Sequence, residues 1–255
     1  MKMSKLFTTV FNEELKTRGF KKKGKLYYRL NGDILQGVVI KPINPYCIHF
    51  YAAPYWIENI QVELSPLYKG YWAESRGWSL SPGITSYYRE ENEQLNSDYM
   101  NMCFSLAKEH ILPVLDKVNS LDSFIENCVP NWSTLDEMNA RNDFIEINAK
   151  AIHEKYSYID EQIKMFWRVW DNLYTYYAFL YYGYLNNNLK CGYDKLEQIA
   201  SFLPFHTNGN RYAQNKYMEF MTDDGLLRAK QYFDQRCATM KQRLQTELGI
   251  DTSNL

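Results

Sequence analysis

The segment GYWAESRGW carries the residues best suited to recognition chemistry in this chain. Trp72, Arg76 and Trp78 place two indole rings and one guanidinium close together in the sequence. Tryptophan and arginine dominate the energetics of protein interfaces, where one such side chain contributes about 2 kcal/mol. The segment therefore predicts a partner- or ligand-binding patch at these three residues. The alternative interpretation is that both tryptophans fold back onto a sheet as a cap.

A basic run, RGFKKKGKLYYR, offers a second surface. Six of its twelve residues are Lys or Arg. Lysines that neutralise phosphates and aromatic rings that stack on bases are the tools of nucleic-acid binders. The same run follows a predicted helix, where cations offset the helix dipole, and we therefore prefer to interpret it as a joint between a helix and a strand. The nucleic-acid alternative would use Lys21, Lys22, Lys23, Lys25 and Tyr27.

The sequence contains no residue pattern that is typical of an enzyme or a metal site. The four histidines form no HExxH or H-x-H arrangement, and the five cysteines are widely spaced without a CxxC pair. No G-x-S-x-G elbow or glycine-rich phosphate loop is present either. We therefore expect no catalytic residue, no metal and no cofactor, and we lean towards a protein that is not an enzyme.

Charge and hydropathy narrow the choice of compartment and partner. The net charge of −1 gives the whole molecule no attraction to nucleic acid or to an anionic membrane. The charge is nevertheless uneven, at +7 over residues 1–50, −9 over 51–160 and +1 over 161–255. The N-terminus does not resemble a signal peptide, and the apolar stretch 173–185 is too short to span a bilayer. Together with the odd number and wide spacing of the cysteines, these features predict a cytoplasmic protein.

The N-terminal half alternates between helix and strand patterns. An apolar stripe predicts a helix over residues 4–18, capped by Ser4. Asn31-Gly32 between two strand-like runs predicts a hairpin, and the short loops that follow favour an antiparallel sheet. Two helices come next, the first interrupted at Pro113.

From residue 131 onward every pattern is helical, including an aromatic-rich helix over 160–186 and a last helix that reaches Leu248. The predicted fold class is therefore α+β, with an N-terminal antiparallel sheet of four to five strands and flanking helices, followed by an all-helical C-terminal half. We expect an α+β domain over residues 1–130 (helix, antiparallel strands, two helices) and a helical domain or helical extension over 131–255.

Two short motifs resemble a known family. GFKKKGKLYYR and the later HILPVLDKVNSLDSFIE are similar to elements of the bacterial family called domain of unknown function 4304. The resemblance covers about residues 1–128 and implies an α+β fold without a known activity. The matching positions are Gly19, Phe20, Lys21, Lys22, Tyr28 and Arg29, then Leu112, Pro113, Leu115, Asp116 and Leu121.

The sequence observations exclude no binding function, and they contain no motif that indicates catalysis. The preferred hypothesis is a cytosolic bacterial protein that binds another macromolecule without catalysis, as accessory or immunity factors do. A protein partner fits this hypothesis better than nucleic acid. The alternative is a small-ligand binder or an enzyme with a site between the sheet and the helical half, because pockets concentrate at such junctions.

Overall fold

The sheet of this protein is an antiparallel meander whose strand order follows the chain. The computed structural model describes residues 2–41, 47–56, 77–82, 93–128, 163–168, 172–200 and 214–255. Each strand pairs in antiparallel fashion with the next. The strands are β1 (Lys21–Lys23), β2 (Leu26–Asn31), β3 (Ile34–Lys41), β4 (Cys47–Pro54), β5 (Gly77–Pro82) and β6 (Ile163–Arg168).

One helix precedes the strands, three lie between β5 and β6, and three follow β6 in the described ranges. A single turn with wider, π-type hydrogen bonding joins the second helix to the third at Ala107–Ile111, and another extends the last helix over Leu244–Leu248. None of the helices in the described ranges is both long and apolar enough to cross a membrane. The helices are α1 (Met3–Thr17), α2 (Glu93–Leu106), α3 (Leu112–Lys117), α4 (Leu121–Cys128), α5 (Asn172–Leu185), α6 (Leu189–Ala200) and α7 (Gly225–Arg243).

The predicted fold class is confirmed: an N-terminal antiparallel sheet with flanking helices is followed by a helical C-terminal part. The helix expected over 160–186 is wrong in its first part, because Ile163–Arg168 forms β6 and α5 begins only at Asn172. Aromatic residues favour strands when a partner edge is available, and here β5 supplies that edge. Within the described residues the sheet therefore has six strands, where four to five were expected. Ser4 does not cap α1, since it lies inside the helix and Lys2 holds the N-cap position.

One face of the sheet packs on α1. Tyr27 of β2 lies opposite Val38, which lies opposite Phe50 of β4, so that the three share a face. Phe7 meets the Tyr27 ring edge-on at 5.8 Å, and Phe11 lies 6.4 Å from the Phe50 ring. Ring pairs at these distances stabilise a core beyond the area that they bury.

The C-terminal helical part contacts the opposite face. Tyr28, whose side chain alternates with Tyr27, donates a hydrogen bond to the carbonyl of Leu248 over 2.8 Å. After β4, the buried Trp56 packs against Tyr181 of α5 and Phe233 of α7, with ring centroids 4.4 and 5.3 Å away. The buried residues of the two described halves therefore form one hydrophobic core. The division into domains 1–130 and 131–255 stays a prediction.

The predicted hairpin at Asn31-Gly32 is confirmed and docks on the loop between α3 and α4. Gly32 has a positive φ of 56°, and the amide of Asp33 donates to the carbonyl of Asn119 over 3.1 Å. A Cβ atom on Gly32 would lie only 1.9 Å from that same carbonyl oxygen. Both the backbone conformation and the space therefore require glycine at this position.

We predict that Gly32→Ala lowers the free energy of unfolding by about 3 kcal/mol, because it adds a steric clash to the cost of a positive φ. Gly24→Ala is the matched control, since Gly24 has a φ of 62° and nothing within 4 Å of an added Cβ. This control should lose only about 1 kcal/mol. Urea unfolding of both variants measures the difference, and equal losses would contradict the tight docking of Gly32.

Candidate functional site

The basic run forms a hairpin, an element that the interpretation as a helix-to-strand joint did not include. β1 pairs with β2 from Lys23↔Leu26 to Lys21↔Tyr28, and the turn contains Gly24 at a φ of 62°. A glycine with positive φ at the first position of a two-residue loop is typical of a hairpin turn. Lys21, Lys22 and Lys23 therefore occupy an exposed edge strand, where charge also discourages pairing with other chains.

Two of the four lysines donate hydrogen bonds to distant parts of the same chain. The ammonium of Lys22 donates to the hydroxyl of Thr8 in α1 over 3.0 Å and lies 5.4 Å from the Tyr27 ring centroid. On the other face, Lys23 donates to the carbonyl of Glu247 at the end of the last helix, where the helix dipole favours a cation. β1 thus connects the N-terminal helix to the C-terminal one, while Lys25 is exposed in the turn.

Tyr27 is fully buried and does not present its ring on the surface. Its hydroxyl donates to the side-chain oxygen of Asn12 over 3.0 Å. Burial raises the pKa of this phenol above its usual value. A ring in this position cannot stack on a base, so the nucleic-acid alternative lacks its predicted aromatic contact.

The aromatic patch predicted at Trp72, Arg76 and Trp78 falls largely outside the described residues. Trp72 and Arg76 lie in the range 57–76. Trp78 belongs to β5, at a register position between Phe50 of β4 and Trp167 of β6. The patch therefore stays a prediction.

Arg29 and Asp116 form the centre of a polar network. The Arg29 guanidinium donates to one oxygen of Asp116 over 2.7 Å and lies 4.4 Å above the Phe20 ring. It also donates to the carbonyl of Arg18, and the Arg18 guanidinium binds the second oxygen of Asp116. Burial lowers the pKa of Arg29, whereas the ion pair with Asp116 works in the opposite direction. The network joins the end of α1, β2 and α3.

Gln36 extends this network into the core. Its side-chain oxygen accepts from Arg29 Nε over 2.8 Å, and its amide donates to the carbonyls of Leu115 and Val118 at 2.6 and 2.7 Å. A buried amide without such partners would cost about 1–3 kcal/mol. Gln36, which is fully buried on β3, is thus satisfied by the end of α3.

The described side chains form no metal centre, and the thiol of Cys237 is not activated. No group of three or more His, Cys, Asp or Glu in the described ranges could hold a metal ion. Cys237 lies beside Tyr55 and Tyr181, and burial raises the pKa of its thiol although both hydroxyls oppose that effect. A thiol with a raised pKa is a weak nucleophile. His49 occupies β4 between Val39 and Ser79, and His153 and His206 lie outside the described residues.

A surface hollow of about 410 Å³ lies where β2 meets the segment after the last helix. We call it the edge hollow. Tyr28 and Leu30 line it on the sheet side, and Ile250 and Leu255 line it on the other. Charged residues of both signs also line the hollow. Lys21, Asp33 and Asp251 are exposed and form its rim, whereas Arg29 is mostly buried.

Residues 249–255 form one wall of the edge hollow because the chain reverses at Gly249. Gly249 has a φ of 62°, and the amides of Gly249 and Ile250 donate back to the carbonyls of Gln245 and Leu244. This pattern ends many helices and turns the chain sharply. The buried Thr252 then accepts a hydrogen bond from the Gln245 side chain over 2.6 Å, which holds the segment in place.

Asp251 is held ionised at the rim of the hollow. The amide of Ser253 donates to its carboxylate over 3.0 Å. This hydrogen bond, together with the Ser253 hydroxyl and the nearby charge of Lys21, holds the pKa of Asp251 below its usual value. The rim therefore presents a carboxylate and an ammonium together.

The residues of the edge hollow were not among the predicted sites. Ile250, Asp251, Asn254 and Leu255 lie more than 200 positions from Lys21 in the sequence, and only the tertiary structure brings them together. One signal was available: Gly249 followed by an apolar residue is typical of a chain reversal after a helix. Comparison with protein-family models, curated proteins and solved structures finds no match to this chain.

We predict that Arg29→Lys lowers the free energy of unfolding by about 2 kcal/mol, because an ammonium cannot reproduce the three directed hydrogen bonds and the ring contact of the guanidinium. Arg228→Lys is the control, since that side chain is 42% exposed against 11% for Arg29, and it should lose less than about 1 kcal/mol. Chemical unfolding measures both, and a loss for Arg29→Lys no larger than for the control would contradict the central role of this network.

Glu14 gives a prediction about pH. Burial opposes its ionisation, but hydrogen bonds from Arg18 and Lys108 outweigh burial, and the pKa of Glu14 lies below its usual value. The stabilisation is therefore fully present above the unfolded-state pKa and is lost as the pH falls through the folded-state pKa. Near neutral pH, Glu14→Gln should cost about 1–2 kcal/mol, and at about pH 3 it should cost much less.

The neighbouring Glu13 is the matched control for this pH dependence. Its side chain is 85% exposed and lies 3.8 Å from Lys16. Glu13→Gln should therefore change the unfolding free energy by less than about 0.5 kcal/mol at either pH. A cost for Glu14→Gln that is the same at both pH values would show that the charge of Glu14 is not the source of the stabilisation.

Proposed function

We propose that this chain is a non-catalytic binding protein of the cytoplasm that recognises another protein, and that the edge hollow takes part in this recognition. The observation that carries the proposal is the composition of the hollow. Its apolar lining residues are buried or half-buried, whereas Lys21, Asp33 and Asp251 are exposed and carry charges of both signs. An apolar interior with a polar, solvent-accessible margin is the arrangement found at protein-binding surfaces. An accessory or immunity-type role is the biological setting that we propose for it.

The rigidity of the walls supports this proposal. Tyr28 is tied to Leu248, Lys23 to Glu247, and Arg29 to Asp116 by hydrogen bonds. A surface that is already ordered loses less conformational freedom when a partner binds. The hollow therefore offers a partner a preorganised surface.

The ionisable groups of the hollow favour binding over catalysis. Arg29 already donates to Asp116, Gln36 and the Arg18 carbonyl, and the Asp251 carboxylate accepts from Ser253. The described residues that line the hollow include no His or Cys, the side chains that most often serve as the base or the nucleophile in covalent catalysis. We do not propose nucleic acid as the partner, because Lys22 and Lys23 donate within the chain and Tyr27 is buried.

The family resemblance and the aromatic patch belong to the same proposal. Phe20, Arg29 and Asp116, which carry part of the resemblance to domain of unknown function 4304, meet in one network. We therefore propose that these motif residues serve to hold the fold together. Trp72, Arg76 and Trp78 are proposed as a second partner-binding surface.

A small-ligand binder is the second candidate. The volume of the hollow, about 410 Å³, falls in the range of small-molecule sites. Its location between the sheet and the segment after the last helix supports this candidate, which needs a site between the sheet and the helical half. The two candidates differ in the size of the occupant, which one experiment can measure.

We predict that a photo-crosslinking amino acid at Asn254, an exposed residue of the rim, captures a macromolecule when the chain is produced in its native cells. The same group at Glu13, on α1 and away from the hollow, is the control. A light-dependent adduct of protein size at Asn254 alone is the expected result in mass spectrometry. An adduct of only a few hundred daltons would instead favour the small-ligand candidate, and equal labelling at both positions would contradict a role for the hollow.

A further inference from the structure

Among the described residues, Leu30 of β2 has no strand neighbour on the side of the edge hollow. In an antiparallel ladder, alternate residues direct their N–H and C=O groups to opposite neighbours. The tight turns after Lys23 and Asn31 set this alternation, because the pairs Lys23↔Leu26 and Asn31↔Ile34 close them. Leu26, Tyr28 and Leu30 therefore face the β1 side.

β1 is too short to reach Leu30. It begins at Lys21, opposite Tyr28, and in the described part of the chain no strand residue lies opposite Leu30 on that side. The chain before Lys21 leaves the strand direction at Gly19, which has a φ of 82°. Gly19 and Leu30 both line the edge hollow, so the N–H and C=O of Leu30 face its interior.

We propose that the edge hollow binds a short extended segment of a partner protein, which adds to the sheet by pairing with the backbone of Leu30. This inference rests on the proposed function and specifies the chemistry of the partner. Strand addition of this kind takes its affinity from main-chain hydrogen bonds and its specificity from pockets for alternate side chains.

The surroundings of Leu30 determine which side chain the segment presents. A residue paired with Leu30 directs its side chain to the same face of the sheet, where the apolar side chains of Ile250 and Leu255 line the hollow. That residue is therefore apolar. Lys21 and Asp251 at the rim carry opposite charges, so the segment needs no net charge of its own.

The lysines of β1 limit the length of the segment. Lys22 lies between Lys21 and Lys23, whose backbones pair with β2, and its own backbone therefore faces outward along the edge. Charged residues on an edge strand discourage further pairing. The partner segment is thus confined to the opening at Leu30 and does not continue along β1.

The test begins with a library of short random peptides, displayed and selected on the full chain. The selected peptides should share one apolar position. On addition of a selected peptide, hydrogen exchange at the Leu30 amide should slow by about tenfold or more, as measured by NMR. An N-methyl group on the peptide residue that pairs with Leu30 should weaken binding by about tenfold, since it removes one main-chain hydrogen bond. N-methylation of the adjacent residue, whose N–H points away, is the control and should leave affinity unchanged.

A pair of variants of the protein tests the main-chain hydrogen bond at Leu30 from the protein's side. Leu30→Pro removes the edge amide, and proline is tolerated in a strand where its nitrogen faces away from the ladder. Leu30→Ala keeps the amide and shortens the side chain. We expect weaker binding by the alanine variant and no measurable binding by the proline variant. Circular dichroism of both variants shows whether the fold is kept, and if the proline variant unfolds, the N-methylated peptides decide the question.

The outcomes separate this inference from the proposed function. Peptides that occupy the hollow without slowing exchange at Leu30, or that tolerate N-methylation at every position, would overturn strand addition while leaving macromolecule binding intact. Occupation by small molecules alone would overturn the peptide inference and favour the second candidate. If neither peptides nor a fragment library perturbs the resonances of Leu30, Ile250 and Asp251, both the inference and the proposed role of the hollow are wrong.

Discussion

The ion pair between Arg29 and Asp116 is the interaction on which the rest of the N-terminal structure depends. Arg29 is mostly buried, and a buried guanidinium is stable only when its charge is paired and its N–H groups are bonded. Asp116, Gln36 and the carbonyl of Arg18 supply those partners. Because the partners come from α3, β3 and the end of α1, satisfying one side chain fixes how three elements meet.

The charges at the edge of the sheet have a related role. Lys22 and Lys23 extend to opposite faces of β1, one to Thr8 of α1 and the other to the end of the last helix. Individual contacts of this kind at a surface contribute less than about 1 kcal/mol. These contacts matter because they hold the three-residue strand β1 in place between the helices on the two faces of the sheet. The edge hollow exists because this strand is short and because Gly249 returns the chain towards it.

Much of the fold could be predicted from local pattern. The apolar stripe of α1, the glycine turn at Gly32 and the interruption before α3 all express steric rules that act within a few residues. The incorrect prediction of a helix over residues 163–168 arises from a long-range contact and not from a local rule. An aromatic run of that length fits either a helix or a strand, and β5, which precedes it by some 80 residues, decides the outcome by offering an edge. The patch at Trp72 and Arg76 lies outside the described residues, and its prediction therefore stands as it was made.

The sequence by itself determined the fold class, the hairpin turn at Gly32 and the absence of any known catalytic motif, because these depend on residue type and local spacing. Only the tertiary structure decided where the basic run lies and what it contacts. In the tertiary structure the Tyr27 side chain is buried in the core, Arg29 pairs with Asp116, and Ile250 and Asp251 lie near Lys21. Such contacts join residues far apart in the chain, and their partners are selected by packing and by the need to satisfy buried polar groups, which no short stretch of sequence contains.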